Sequence, residues 1–536
     1  MTDEPRSHWG WGHASGFGTP DTRKALGTMV GTMLGLQTTE PREPTPPNEI
    51  DLDQGGVALP SELTELLSDD RELRLRRTFG RSFPDLYRGF HGHFPHPPDL
   101  VARPTEPAHL EELYRWAASE RLALIPFGGG TSVVQGVTPG DLPDYQGLVT
   151  VDLQGLSYVE DLDEVDRVAR IGAGTTGPDL EAALSPRGLT LRHYPQSFQF
   201  STLGGWLATR AGGHFATNYT RIDDLTTTVT MVTPAGTLST PQLPSTGAGI
   251  DPRSLILGSE GALGCITEAV MRLRPRHTFR SSVTVHFPDL PTATEACRHI
   301  AQAHLFPSNC RLLDAREALF NGVVSSPAHV LLLGFEGTTP VTEPLLEAAL
   351  KIAIDAGGTP ASDPAHRHRD AQGDSDRPEE AGRWRQAFFE APYLQGRLLS
   401  VGILADTFET ALPWSRFPRF HKDLKGRLLA LMKARCGGGH LTLRFTHVYP
   451  DGPAPYYTFI CAPPPEQTLE VWRAIKEESM ATIADHGATV THHHAVGRRH
   501  RPGLARERSS TFFSALKALK AELDPHHILN PGVLLP

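Results

Sequence analysis

The sequence predicts an α+β protein built as two lobes, and three observations carry that prediction. A chain of 536 residues is too long for one hydrophobic core, so two or more domains sharing an interface are required. From about Pro97 to Arg276, apolar stripes at helical spacing alternate with short apolar strands that end in glycine-bearing turns. From His277 onward the rhythm changes to strand, helix, strand. These breaks predict an extended or helical N-terminal region (1–96), a glycine-rich lobe (97–276), an α+β cap lobe (277–490) and a closing segment (491–536) that returns to the first lobe.

Residues 1–60 are rich in Gly, Pro and Thr and read as extended, with the aromatics of Trp9-Gly10-Trp11-Gly12 docked on the body of the protein. In the first lobe, Leu110, Leu113, Trp116 and Ala117 form one helical stripe, followed by the strand Leu122-Ala123-Leu124-Ile125-Pro126. The cap opens with the alternating strand Ser282 to Phe287, then a helix from Ala293 to His304. The charged, apolar-poor stretch from Ala365 to Arg383 reads as a mobile surface loop. Near the end, Ser509 to Leu523 has helical period, with Phe512, Phe513, Leu516 and Leu519 on one side.

Composition narrows the function classes. The net charge is −10 without a dense run of Lys and Arg, which argues against nucleic acid as a partner. An anionic ligand must therefore be gripped by local donors. The five cysteines are scattered without a C-x-x-C pair, which fits reduced thiols. No signal peptide, membrane span or C-terminal peroxisomal tripeptide is evident, so a cytoplasmic protein is expected, in peripheral contact with a membrane if its substrate is a lipid. A homodimer is compatible with the sequence.

The sharpest motif is Pro126-Phe127-Gly128-Gly129-Gly130-Thr131-Ser132. Glycines after a strand let backbone N–H groups close on an anion, though a purely structural loop would use them too. The segment ends in neither the Lys-Ser/Thr of a P-loop nor the spacing of a dinucleotide fingerprint. Two further segments pack small and hydroxyl residues: Pro195 through Gly213, containing Ser197, Ser201, Thr202 and Gly204-Gly205, and Gly258 through Glu268.

In order and spacing, the three segments resemble the PCMH-type FAD-binding lobe of the vanillyl-alcohol oxidase superfamily. The resemblance implies FAD and assigns its contacts to Pro126 to Ser132, to Gln196, Ser197, Phe198, Gln199, Phe200, Ser201, Thr202, Thr209, Arg210, Ala211 and Gly212, and to Glu260, Gly261, Ala262, Leu263, Gly264, Cys265 and Ile266. Thr131 and Ser132 stand where covalent members often carry a histidine, so dissociable FAD is expected. Over nearly the whole chain, Trp9-Gly10-Trp11-Gly12, Arg311-Leu312-Leu313-Asp314, Phe408-Glu409-Thr410, the triplet His492-His493-His494 and Leu523-Asp524-Pro525 resemble the alkyldihydroxyacetonephosphate synthase family. That family exchanges the acyl group of acyl-dihydroxyacetone phosphate for a long-chain alcohol through an adduct at flavin N5.

This resemblance makes Tyr456 the proton-transferring group and places Arg311, His193 and the His triplet in the active site. Read from the residues alone, Tyr456 is also an aromatic packed on a strand, with Tyr457 its rival; Arg311 fits a structural salt bridge, and His193 a satisfied core or surface histidine. The triplet fits a solvated run or a metal pair from His492 and His494, because alternate residues of an extended segment face the same way. Substrate-binding candidates are Gln395, which stands where the family has an arginine, and Arg397. The amide cannot supply a guanidinium's two-pronged grip on phosphate. The alternative is an FAD-dependent 2-hydroxy-acid dehydrogenase or oxidase of the same superfamily. That branch uses a metal, and His447 is followed by Val448-Tyr449-Pro450-Asp451-Gly452 without the second histidine expected of it, so no metal is predicted. A flavin-fold binding module without activity is the third reading, supported only by Gln395.

Overall fold

The computed structural model describes residues 6–368 and 379–535, with the side chains of 379–386, 388 and 389 outside the description. Of the charged stretch expected as a loop, 369–378 lie outside the described residues, while Ala365–His368 pairs with Phe279–Ser282 as a strand and the chain from Glu379 on is helical, so both described ends depart from that expectation.

One expectation is corrected at the N-terminus. Within the region read as extended, Pro20–Leu34 is a helix (α1). Thr19 accepts the Thr22 amide as N-cap, proline sits in the first turn, and Gly35 closes the helix in the left-handed conformation. Its Leu26, Val30 and Leu34 pack on Leu398, Val401 and Ile403. Tertiary burial thus supplies what a weak local period does not announce. Trp9 and Trp11 are buried, Trp9 lying against Phe17 and Phe90 at ring separations of 4.5 and 4.9 Å.

The first lobe has two main sheets, besides a short pairing of Leu189–Thr190 with Arg274–Pro275. One holds β1 (Leu67–Ser68), β2 (Leu100–Ala102), β3 (Leu122–Phe127) and β4 (Gly147–Asp152), in the order β1-β2-β4-β3. Its three longer strands are parallel, and α2 (Pro107–Ser119) buries Leu110, Leu113 and Ala117 against them. The other sheet is antiparallel: β5 (Val159–Asp163), β6 (Val168–Gly172), β7 (Thr226–Thr233), β8 (Gly236–Ser239) and β9 (Cys265–Arg272), ordered β5-β6-β9-β7-β8. Helix α3 (Leu203–Thr209), capped by Thr202, lies against this sheet's core.

The cap is one large sheet backed by helices. Its strands are β10 (Phe279–Phe287), β11 (Asn309–Leu313), β12 (His329–Gly337), β13 (Thr359–Pro360), β14 (Leu404–Glu409), β15 (His440–Val448) and β16 (Pro453–Cys461), in the order β13-β10-β12-β11-β15-β16-β14. Four of its helices matter here: α4 (Leu290–Gln302), α5 (Ala315–Phe320), α6 (Thr342–Asp355) and α7 (Glu379–Ser400). The closing residues return to the first lobe, where the Asn530 amide donates to Leu124 O at 2.8 Å beside β3. The predicted C-terminal helix forms as Ser510–Leu523, but Phe512 is exposed; Phe513, Leu516 and Leu519 are the half-buried members of its stripe. The lobes meet through Glu336, which bonds Arg192 of the first lobe and, at 2.8 Å, Arg280 of the cap.

Candidate active site

Between the lobes lies a cavity of about 290 Å³. Gly128 to Ser132 form its wall where β3 ends, and Gln196, Ser197, Ser201, Thr202, Thr209, Ala211 and Gly212 line it from the second segment. The glycines serve two ends. A Cβ on Gly129 would sit 2.0 Å from Phe200 O, and one on Gly128 would sit 2.4 Å from Thr202 Oγ1, so the two segments lock together only without side chains. Gly130 has φ +66°, which favours glycine on conformational grounds. Arg6 ties the N-terminal strap across this junction, donating to Gly129 O at 3.2 Å.

Other expected cofactor residues lie outside the lining. Pro126, Phe127, Phe198 and Phe200 lie off the cavity, Gln199 is exposed to solvent, and Arg210, left-handed at φ 52°, pairs with Asp223 at 2.6 Å. The third segment, Glu260 to Ile266, is also absent from the lining. Its Glu260 accepts the Val496 and Gly497 amides at 2.9 and 2.7 Å, bracing the turn after the His triplet. Burial pushes this carboxyl up to about 7 against those two amides.

The cap supplies the facing wall. Tyr456 lines it, its hydroxyl donating to Thr407 Oγ1 at 2.9 Å and its ring lying 4.0 Å from the Arg444 guanidinium. Burial raises the phenol's pKa, while Arg444 and the Thr407 hydrogen bond pull the other way. Tyr457 points to the opposite face of β16, into the cap core beside His421, which removes it as the rival. Arg311 lines the cavity too; burial, then Arg444, lowers it to about 9.

The His triplet is not extended. Glu409, 1% exposed at the end of β14, accepts three successive amides: His492 at 2.5 Å, His493 at 3.3 Å and His494 at 3.0 Å. Thr491 adds its hydroxyl at 2.6 Å. This clamp supplies the bend that an extended segment lacks. His493 and His494 line the cavity, whereas His492 turns to His493 and Tyr449. Burial keeps all three imidazoles below their ordinary range. The ring nitrogens that approach within 4.8 Å of one another are those of His447, His492 and His493, so the metal-capable set differs from the His492–His494 pair considered from sequence.

Gln395 lines the cavity, its amide donating to Ala405 O and Asp406 Oδ1 at 3.1 Å each. Arg397 does not reach the cavity; its guanidinium bonds Gly16 O at 2.7 Å, so it cannot stand in for the missing arginine in this arrangement. His193 also lies off the lining, packed on Trp206 at a ring separation of 5.1 Å, with burial lowering it to about 3. Sequence reasoning missed Arg444, Thr407, Glu409 and the lining role of His447. Glu409 left a trace in the quoted Phe408-Glu409-Thr410, and His447 in the turn weighed as a metal site; Arg444 and Thr407 left none.

A backbone-walled glycine cradle with Ser and Thr hydroxyls beside it, open toward a phenol and imidazoles on a second lobe, suits a dinucleotide flavin. Residues 98–240 match the family model described as FAD binding domain, and 276–534 match that of FAD linked oxidases, C-terminal domain. The protein is therefore an FAD-dependent enzyme, its two lobes similar to the two domains of FAD-linked oxidases. The chain is 29% identical over 508 residues to the alkyldihydroxyacetonephosphate synthase of Dictyostelium discoideum, covering 88% of this chain and 79% of that one. A solved alkyldihydroxyacetonephosphate synthase superposes with TM-score 0.78 at 25% identity, covering 95% and 92% of the two chains. The glycolate oxidase subunit GlcD of Bacillus subtilis is 26% identical over 447 residues, 81% of this chain and 88% of that one. The resemblance expected from sequence is thus borne out, with synthases at its centre and oxidases beside them.

Proposed function

We propose that the protein exchanges the acyl group of an acyl-dihydroxyacetone phosphate for a long-chain alcohol, a redox-neutral route to an ether lipid, with FAD held non-covalently. One observation carries the reading. The lining that holds the glycine cradle also takes in Tyr456, Thr458 and Ile460, alternate residues of β16, and Ile460 clusters there with Phe320, Leu394, Leu398 and Ala405. Such an apolar wall suits a hydrocarbon chain and offers little to a short hydroxy acid.

Bound FAD supplies an electron sink for the substrate carbon. This chain's residues do the rest. Tyr456 moves the proton on that carbon, with Arg444 over its ring favouring the phenolate. His494 donates a hydrogen bond to the departing carboxylate, His493 accepts the proton of the incoming alcohol, and Arg311 adds positive charge nearby. We also propose a cytoplasmic protein in contact with a membrane through Met29 and Met33, which are exposed on α1, the helix whose Leu26, Val30 and Leu34 join the same apolar cluster. Flotation with phosphatidylcholine vesicles tests that contact.

A second reading, 2-hydroxy-acid oxidation, is favoured by His447, His492 and His493, whose ring nitrogens could hold a divalent ion next to the cavity. Anaerobic mixing separates the two. Ether product without an electron acceptor supports the exchange; flavin bleaching reversed by air, with keto acid formed and stoichiometric metal, supports oxidation. Acid precipitation should release the flavin into the supernatant, and flavin retained on the pellet would contradict non-covalent binding.

A further inference from the structure

Two cavities meet at the His triplet. One is the buried cavity that His493 lines; the other is a polar cleft of about 570 Å³, open to solvent and lined by Thr220, Arg221, Asp224, Tyr449 and His492. An unbroken line of hydrogen bonds joins them. His493 Nδ1 meets His492 Nδ1 at 3.0 Å, His492 Nε2 meets the Tyr449 hydroxyl at 2.7 Å, and that hydroxyl meets Thr220 Oγ1 at 3.1 Å. Each of these groups can both accept and give a proton. Both ring nitrogens of His492 are spent within the line, and its side chain is absent from the buried lining.

We infer that His493, His492, Tyr449 and Thr220 form a proton relay that carries the proton released in the buried cavity out to the open cleft. The inference rests on the exchange reading. In that exchange the ester C–O bond breaks and its electron pair leaves on the carboxylate, while a new C–O bond forms to the alcohol. The alcohol's O–H proton is left over, because a carboxylic acid is ionised at neutral pH. His493 accepts it at Nε2 and passes its Nδ1 proton to His492 Nδ1. His492 gives its Nε2 proton to Tyr449, the Tyr449 hydroxyl proton moves to Thr220, and the Thr220 proton goes to water in the cleft. Nothing is oxidised or reduced.

The surrounding charges fit a brief positive charge in transit. Glu409 lies 3.7 Å from His493 Nδ1 and 3.7 Å from His494 Nδ1, and favours a transient imidazolium. Arg221, which donates to His492 O, opposes it, as do Arg311 and Arg444 at His493. His447, its ring 4.8 Å from that of His492, stays neutral through burial, and Asp224 waits at the cleft.

The test uses the FAD-loaded full-length protein with Tyr449→Phe and Thr220→Val, each of which removes one link and keeps the shape. In weak buffer we expect turnover to fall by about 10²-fold, the loss expected for a missing proton-transfer group. KM and the flavin spectrum should stay unchanged, and added imidazole buffer should restore the rate. Histidine ¹⁵N NMR gives a readout independent of turnover: Tyr449→Phe should shift the nitrogens of both His492 and His493. Wild-type rates in both variants without buffer dependence would overturn the relay. So would stoichiometric metal on His447, His492 and His493, which would engage the two imidazoles the relay needs. Absence of ether product in the wild type overturns the exchange reading alone. The NMR then decides the relay by itself: coupled shifts uphold the line of shared protons, and unmoved His493 signals refute it.

Discussion

Removing the charge of Glu409 should cripple the site without emptying it of flavin. The carboxylate is buried and accepts three backbone amides of the His triplet plus the Thr491 hydroxyl. In Glu409→Gln one oxygen becomes an NH₂ group, which cannot accept, so at least one buried N–H loses its partner. Each orphaned donor costs about 1–3 kcal/mol, and the bonds lost are charge-assisted, so a total of about 2–4 kcal/mol is expected. Part of that cost is relieved if the loop opens, moving His493 and His494 off the cavity wall. We therefore expect kcat to drop by about 10²-fold or more while FAD still binds, with a lower midpoint of cap unfolding. Steady-state kinetics beside flavin fluorescence during a thermal ramp provide the assay. The wild-type protein should also show the sign of this interaction. Burial pushes the Glu409 carboxyl up, but the three imidazoles and Thr491 outweigh it and hold the carboxyl well below its ordinary 4.5. Its contribution is then complete above about pH 4.5 and declines as pH falls through the lower, folded-state value. A Glu409→Gln protein with wild-type kcat and an unchanged unfolding midpoint would refute the clamp.

The other predictions follow from single contacts. Tyr456→Phe should abolish exchange with the fold intact, whereas Tyr457→Phe should leave kcat near wild type and cost about 1 kcal/mol of stability, through loss of its bond to His421; the reverse pattern would reverse the assignment. Gly129→Ala should weaken FAD retention, because its Cβ falls 2.0 Å from Phe200 O and must push the first two segments apart; flavin content after gel filtration reads this directly. Gln395→Arg should lower KM for the phosphorylated ketone by about 10-fold, the worth of one charge-assisted pair, with Asp406 beside it as counter-charge; an unchanged KM would show that the phosphate does not reach this wall.

Much of the first lobe was legible in the sequence because its signals are local. Three glycines at a strand end suit an anion site or a purely structural turn, and it was the two later hydroxyl-bearing segments, taken with the family resemblance, that pointed to a flat, anionic cofactor. The change of rhythm at His277 likewise exposes the cap, since strand and helix periods are written in neighbouring residues. Local pattern alone did not reveal α1, whose apolar side is completed by Leu398, Val401 and Ile403, far along the chain.

The chemistry of the cap was decided by tertiary structure. Tyr456 and Tyr457 are adjacent and alike in sequence; pairing with β14 and β15 sends one to the cavity and the other to the core. The His triplet bends because Glu409, more than eighty residues earlier, gathers its amides. Arg444 and Thr407 become partners of Tyr456 only once three strands lie side by side. By itself the sequence showed a glycine turn suited to an anion, because a chain segment carries its own turn and hydrogen-bonding preferences; the resemblance made that anion a flavin dinucleotide, and the third expected segment proved to brace the His loop instead. Which side chains face that flavin depended on strand register and on a buried carboxylate, and both exist only after distant segments have paired.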